Sequence, residues 1–350
     1  MTLIDIFKKA IELKASDVHL VAEMPPLFRI DGQLIDMSKT KLSSKQVEEL
    51  CFSILDDVSK EKYIAERELD LGYSLELHTR FRVNMFFEKG NCGLVARVIS
   101  NASPTISDLG VSDVVYELLN LNQGLILVTG PTGCGKSTTL AAMINYINQH
   151  RRANIITLED PIEYVFQSDK SVIVQRQLGS DMLSFSEGLK HALRQDPNVI
   201  MVGEMRDLET ISTTITLAET GHLVLATLHT YSASQTVDRI IDIFPPHQQN
   251  QVRMQLSTTL AGIISQRLLP HVRGGRIAAR EIMLNIPAVA NLIRENKIAQ
   301  LRTVIETNSR KGMMSLDQDL KRLCRDGMIS KTVAQSYMEN PEMLDSISSE

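Results

Sequence analysis

The chain has 350 residues, 43% hydrophobic and 23% charged, and a formal net charge of −5. That length accommodates two domains with separate cores, and the acidic balance offers no general attraction to nucleic acid or anionic lipid. No apolar run approaches the roughly 18 residues of a membrane span, and the start MTLIDIFKKAIELK has helical spacing rather than a secretory leader's apolar core. The four cysteines, Cys51, Cys92, Cys134 and Cys324, form no C-x-x-C pair. They speak against a disulfide framework or zinc motif and point to a reducing cytosol.

Ile4, Ala10 or Ile11 and Leu13 suggest an amphipathic first helix, and SDVHLV (16–21) alternates like a strand. Residues 27–35 read as two short strands around the turn signal Asp31-Gly32. A helix is expected over 43–55, with apolar residues at 47, 50, 51 and 54, then strands over 69–73, 80–87 and 93–99. Residues 1–100 thus read as an α+β domain with an antiparallel sheet. Residues 101–113, rich in Ser with Pro and Gly, read as a linker.

From residue 114 to 350 the pattern changes to α/β. Apolar strands at 124–129, 154–158, 199–203 and 222–228 alternate with helices at 136–149, 184–195 and 208–220. Leu140, Ile144 and Ile147 mark the buried stripe of the first of these helices. Runs such as VIMV (199–202) and LVLA (223–226) suit a parallel sheet covered on both faces. Beyond about residue 230 the chain reads as mostly helical, punctuated by Pro245-Pro246 and Arg273-Gly274-Gly275.

The chemistry starts at residues 130–137, GPTGCGKS, which fit G-x-x-x-x-G-K-[ST] between a strand and a helix. Gly130, Gly133 and Gly135 free the backbone to aim N–H groups at phosphate oxygens, with Pro131, Thr132, Cys134 and Thr138 completing the loop. The helix starting near Lys136 adds its positive dipole end. Lys136 would reach the β- and γ-phosphates of a nucleoside triphosphate, and the Ser137 hydroxyl would ligate Mg²⁺.

Hydrolysis also needs a water-organising group and cations for the developing charge. Glu204 follows the strand VIMV, where ligands of α/β sheets bind, and is assigned to water activation or Mg²⁺ organisation. Glu159, Asp160 and Glu163 cluster at another strand end, with Glu163 the expected water or metal contact. His222 and His229 bracket the next strand, roughly 23 Å apart. His229 would sense the γ-phosphate or be a satisfied core histidine, and His222 would be structural or at an interface. Arg80, Arg82 and Arg97 lie on strands of the first domain, Arg80 and Arg82 on one face. Spacing alone reads them as surface arginines, the alternative being arginine fingers offered across a boundary. Cys134, at a helix N-terminus beside Lys136, is expected to have a lowered thiol pKa and to react with alkylating agents.

Together SDVHL (16–20), RFRVN (80–84), GPTGCGKSTT (130–139), ITLEDPIEY (156–164), LRQDPNVIMVGEMRD (193–207) and TLAETGHLVLATLHT (216–230) resemble the type II/type IV secretion ATPase superfamily. They match its Walker A, Asp box, Walker B and His box in order. RIIDIFPPHQQNQVRMQLS (239–257) and NLIRENKIAQ (291–300) are similar to the PilT-like pilus retraction branch. So is a start directly at the first domain, without a tetracysteine motif. The segment AVANLIRE departs from that branch, with Ala290 where Arg is expected.

The resemblance implies a PAS-like N-terminal domain, a RecA-like ATPase domain and a homohexamer using ATP and Mg²⁺. It implies work on an inner-membrane pilus platform protein at the cytoplasmic face, with a paralogous motor as a further partner. It assigns Lys136 and Ser137 to phosphate and Mg²⁺, and Glu163 and Glu204 to water and metal. His229 goes to the γ-phosphate region, and Arg82 and Arg97 become the arginine fingers. The alternatives are an accessory retraction motor, a nucleotide-dependent switch, or a nucleic-acid translocase, which the acidic composition disfavours.

Overall fold

The computed structural model describes residues 2–30, 32–76, 79–99 and 104–344. The chain forms two compact units, residues 1–103 with 161–166, and residues 104–160 with 167–350. Asp31, of the expected hairpin turn, and residues 101–103 of the expected linker lie outside the described residues.

The first unit contains α1 (Leu3–Glu12), β1 (Asp17–Val21), β2 (Leu27–Ile30), β3 (Gln33–Asp36), α2 (Ser44–Phe52), α3 (Asp57–Glu66), β4 (Glu68–Glu76), β5 (Thr79–Glu88) and β6 (Asn91–Ile99). Its sheet runs β3-β2-β1-β6-β5-β4, antiparallel throughout. This is the smaller α+β unit expected. Strand alternation sends Phe81, Val83 and Met85 into the core and leaves Arg80 and Arg82 on the other face.

Thr2 and Asp5 form a capping box that starts α1. The helix buries Leu3, Ile6, Phe7 and Ala10, and Phe7 stacks on Phe81 with ring centroids 4.1 Å apart. Of the expected stripe of Ile4, Ala10 or Ile11 and Leu13, Ala10 is buried, whereas Ile4, Ile11 and Leu13 are exposed and that part is corrected. Both sets have helical spacing, and the bulk of Phe7 decides which one turns inward. Helix α3 escapes the sequence reading because Tyr63 is its single buried residue.

The second unit contains α4 (Val114–Leu119), β7 (Gly124–Thr129), α5 (Lys136–His150), β8 (Asn154–Glu159), β9 (Val172–Gln177), α6 (Phe185–Ala192), β10 (Val199–Val202), α7 (Leu208–Glu219), β11 (Leu223–Leu228), α8 (Ala233–Asp242) and α9 (Pro246–Thr259). Then come β12 (Leu260–Pro270), β13 (Arg276–Leu284), α10 (Pro287–Arg294), α11 (Leu301–Thr307), α12 (Leu316–Arg325) and α13 (Lys331–Tyr337). The sheet order is β13-β12-β7-β11-β10-β8-β9. Six strands are parallel and β13 is antiparallel to β12. Strands β7, β10 and β11 are buried at every residue, as their continuous apolar runs require. Strand β11 lies between β7 and β10, so the turns after three neighbouring strands open on one edge.

The expectation that the chain beyond residue 230 is mostly helical is corrected by the β12–β13 hairpin. Strand β12 is buried over most of its length. It therefore shows no period-two alternation, and its Arg273-Gly274-Gly275 turn reads only as a break. The hairpin alternates across the sheet in a functional way. Gln266 pairs with Arg280 on one face and Ser265 with Glu281 on the other.

The expected linker is shorter than 101–113. Residues 104–113 belong to the second unit. Ile106 is buried, and the guanidinium of Arg280, itself buried, donates from Nη2 to the Leu109 carbonyl at 2.9 Å.

Candidate active site

The phosphate loop leaves β7 at Thr129 and enters α5 at Lys136. Gly130, Gly133 and Gly135 have φ of 144°, 77° and 88°, conformations glycine adopts without strain. A Cβ at Gly130 would lie 2.3 Å from the Gln266 carbonyl oxygen and 2.5 Å from Cys134 Sγ, so both backbone angle and space demand glycine. Lys136 folds over the loop, with Nζ donating to the carbonyls of Gly130 at 2.8 Å and Pro131 at 3.0 Å. Ser137 and Thr138 follow in the first helical turn, both half-buried, while Thr132 is exposed.

Gln266 on β12 is a part of this site that sequence reasoning missed. Its Nε2 donates to the Cys134 carbonyl at 2.8 Å, and its Oε1 accepts from Thr139 Oγ1 at 2.9 Å. One buried amide thus ties the loop backbone to the helix after it. No local motif marks Gln266, because its partners stand more than a hundred residues upstream.

Glu204 sits two residues past the end of β10. Thr227 on β11 donates its hydroxyl to the Gly203 carbonyl and accepts the Met205 N–H on its own carbonyl at 3.2 Å. Both bonds hold the backbone on either side of Glu204. Its carboxylate lies 2.8 Å from Arg206 Nε and 3.7 Å from His229 Nε2. The His229 pKa is lowered, by burial first and then by the positive charge of Lys136, with Glu204 pulling the other way. Lys136, Glu204 and His229 therefore meet electrostatically at the ends of three adjacent strands. Asp207, next to this group, caps α7 by accepting from Thr210 N at 2.8 Å.

Two expectations are corrected here. The Cys134 thiol is not activated: burial pushes its pKa up, outweighing the nearby Lys136 charge, and it is 2% exposed. Of the acids expected to cluster after β8, Glu159 is committed to the sheet, where Oε1 accepts from Thr157 Oγ1 at 2.6 Å and from Gln175 Nε2 at 3.1 Å. Glu163 is exposed in the segment 161–166, which groups with the first unit. Among the described residues no group of three or more His, Cys, Asp or Glu is placed to hold a metal.

His222 lies at the opposite end of β11, with Nδ1 3.0 Å from the Leu217 carbonyl oxygen near the end of α7. In the first unit, Arg82 and Arg97 stand directly opposite each other on β5 and β6, and Arg97 stands opposite Asp17 on β1. Arg97 Nε donates to Asp17 Oδ1 at 2.9 Å. Burial acts to raise the Asp17 pKa, but hydrogen bonds from Ser16 and Arg97 overcome it and the net shift is downward. The Arg80 side chain lies over Gly72, where a Cβ would be 2.5 Å from its guanidinium.

A parallel sheet with a phosphate loop after β7 and acid and imidazole after β10 and β11 defines a P-loop nucleotide hydrolase of the RecA-like class. Residues 2–311 match the family described as type II/IV secretion system protein. The chain belongs to that family and is an ATP hydrolase. It is 46% identical to the type IV pilus retraction ATPase PilT of Pseudomonas aeruginosa over 328 residues, 94% of this chain and 95% of that one. It is 44% identical to the twitching motility protein of Neisseria gonorrhoeae over 325 residues, 93% of this chain and 87% of that one. A crystal structure of the pilus retraction motor PilT with bound ADP superposes with a TM-score of 0.92 at 44% identity, covering 99% of each chain. No helix among the described residues is long and apolar enough to cross a membrane.

Proposed function

We propose that this chain is a homohexameric motor that hydrolyses ATP to drive type IV pilus retraction, acting at the cytoplasmic face of the inner membrane on a pilus platform protein. The observation that carries the reading is the convergence of Lys136, Glu204 and His229 on one edge of the sheet, in a chain 46% identical to a named retraction ATPase. The loop 130–138 holds the phosphates through its amides, and Lys136 exchanges the Gly130 and Pro131 carbonyls for phosphate oxygens. Glu204, with Glu163, orients the attacking water. His229, kept neutral, contacts the γ-phosphate region, and Arg82 and Arg97 supply guanidinium groups to the transition state. His222 and Arg80 are structural.

The residues present fit Mg²⁺. The Ser137 hydroxyl and the Glu204 carboxylate are hard oxygen donors, the Glu204 side chain, 13% exposed, still reaches solvent, and Glu163 would be a further oxygen ligand. Bound there, the ion would neutralise phosphate charge.

The test is genetic and enzymatic. A strain lacking the protein should be piliated but unable to retract. Glu204→Gln should restore the protein without retraction, its kcat reduced about 100-fold or more. Normal retraction in the deletion strain would overturn the assignment. Retraction that persists but pulls more weakly would make the chain an accessory motor, used beside a paralogue.

A further inference from the structure

His229 is joined to α8 by only Thr230, Tyr231 and Ser232. That turn is knitted internally. Tyr231 N donates to Gln235 Oε1 at 2.7 Å, Gln235 N donates to Ser232 Oγ at 3.2 Å, and Thr236 Oγ1 donates to the Ser232 carbonyl at 2.7 Å. These bonds set the shape of the turn, but every partner moves with it. They do not set its place against the sheet.

The buried apolar face of α8 packs into the core, and polar contacts to the turn itself come from β12 and β13. Glu281 on β13 accepts the N–H of Ala233, the first residue of α8, on Oε1 at 2.6 Å. The Arg267 guanidinium on β12 lies over the Tyr231 ring, 5.7 Å from its centroid. Ala233 N–H is one of the donors a helix start leaves without an intrahelical partner, and the dipole there favours an anion. A carboxylate acceptor makes a shorter, stronger bond than a neutral one. Glu281 also stands opposite Ser265, whose hydroxyl is 2.8 Å from that of Thr129, the residue before the phosphate loop. The two turns that face the nucleotide are thus referenced to one row across the sheet.

We infer that Glu281 is a positioning residue for hydrolysis, fixing the start of α8 and through it the reach of His229 toward Glu204. The inference rests on the reading that His229 and Glu204 act at the γ-phosphate. Partly withdrawing a carboxylate from water costs stability that an apolar residue would not, so the half-buried Glu281 calls for a task beyond packing. Burial raises the Glu281 pKa, the Ala233 N–H and the charges of Arg302 and Arg267 act against that, and Glu306 reinforces it. Arg302 in turn pairs with Glu306 at 2.9 Å, with Asp317 at 3.6 Å and with Glu339. The same anchor thereby reaches α11, α12 and the segment after α13.

The experiment uses the full chain in steady-state ATP hydrolysis, with ADP affinity measured separately. Glu281→Ala should lower kcat about tenfold while leaving KM for ATP and ADP affinity within about twofold, as small displacements of a reacting group do. Glu281→Gln, which keeps an acceptor oxygen, should recover to within about threefold of the parent. Glu281→Ala combined with His229→Ala should be no slower than His229→Ala alone, since the first acts through the second. Should Glu281→Ala fail to fold, Glu281→Asp keeps the charge but draws it back by one methylene, and should lower kcat severalfold with KM held.

Parental kcat in Glu281→Ala or Glu281→Asp overturns the inference. So does a parallel loss of kcat and ADP affinity, or losses that add in the double variant. If His229→Ala itself hydrolyses ATP at the parental rate, the reading of the site fails. If His229→Ala is slow and Glu281→Ala is not, this inference alone fails.

Discussion

Gln266 and Cys134, 132 positions apart in the chain, are joined by a 2.8 Å hydrogen bond from the side-chain amide to a carbonyl of the phosphate loop. Thr139 closes the other side of the same amide at 2.9 Å. Gln266→Leu leaves a buried carbonyl and a buried hydroxyl without partners, a loss of about 1–3 kcal/mol for each. The expected result is ADP binding weakened about tenfold or more by calorimetry, with an unchanged far-ultraviolet circular dichroism spectrum. Parental affinity would show that the loop holds its shape without the brace.

Cys134 is expected to be the slow thiol. It is buried with its pKa raised by burial, whereas Cys324 is partly accessible. Because the thiolate is the reactive form, a maleimide titration followed by peptide mapping should label Cys324 well before Cys134 in the native protein. Denaturant should abolish the difference. Equal native rates would mean that the loop opens far more often than its packing implies.

The lowered pKa of His229 gives a signed pH dependence. The unfolded chain takes up its proton near pH 6.5 and the folded imidazole only below that, so the unfolded state binds more protons in the interval. Stability from this residue is present above pH 6.5 and is lost as pH falls through that value toward the folded pKa. If neutral His229 serves hydrolysis, the acid limb of kcat/KM lies below pH 6.5 and disappears in His229→Gln. A limb above pH 7, or one that survives the substitution, assigns that titration to another group.

Asp319 is fully buried in α12. It accepts the backbone N–H of the buried Arg280 at 2.7 Å and a side-chain bond from Arg322 Nη2 at 2.7 Å. Asp319→Ala removes the negative charge that favours the buried Arg280 guanidinium and the acceptor of the Arg280 N–H, and should cost about 3–5 kcal/mol. Urea unfolding measures this, with the exposed Asp326→Ala as a control expected within about 0.5 kcal/mol. The loss should be accompanied by faster proteolysis at 104–110, the strap whose carbonyls Arg280 holds.

The phosphate loop was legible because its glycines, lysine and hydroxyl all fall within eight consecutive residues, and β7, β10 and β11 because each is apolar over most of its length, whereas β9, with Gln175, Arg176 and Gln177, was not read as a strand. Glu204 and His229 could be named from their places at strand ends. Gln266, Thr227 and Glu281 could not, since each acts on a segment brought near by the sheet and leaves no local pattern. Strand β12 was hidden because a strand covered on both faces loses the alternation that marks one. The Cys134 reading failed because proximity to a helix start and a lysine lowers a thiol pKa only when water reaches the sulfur.

The β12–β13 hairpin sends Gln266 to one face of the sheet and Glu281 to the other. One extra residue in either strand would invert that strand's side chains and cost it its brace, because strand side chains follow a strict period of two. Lineages of this protein should therefore show no single-residue insertions or deletions within either strand. The exposed turn at 272–275 lies beyond both braces, and an epitope or fluorophore spliced in there would leave both faces in register.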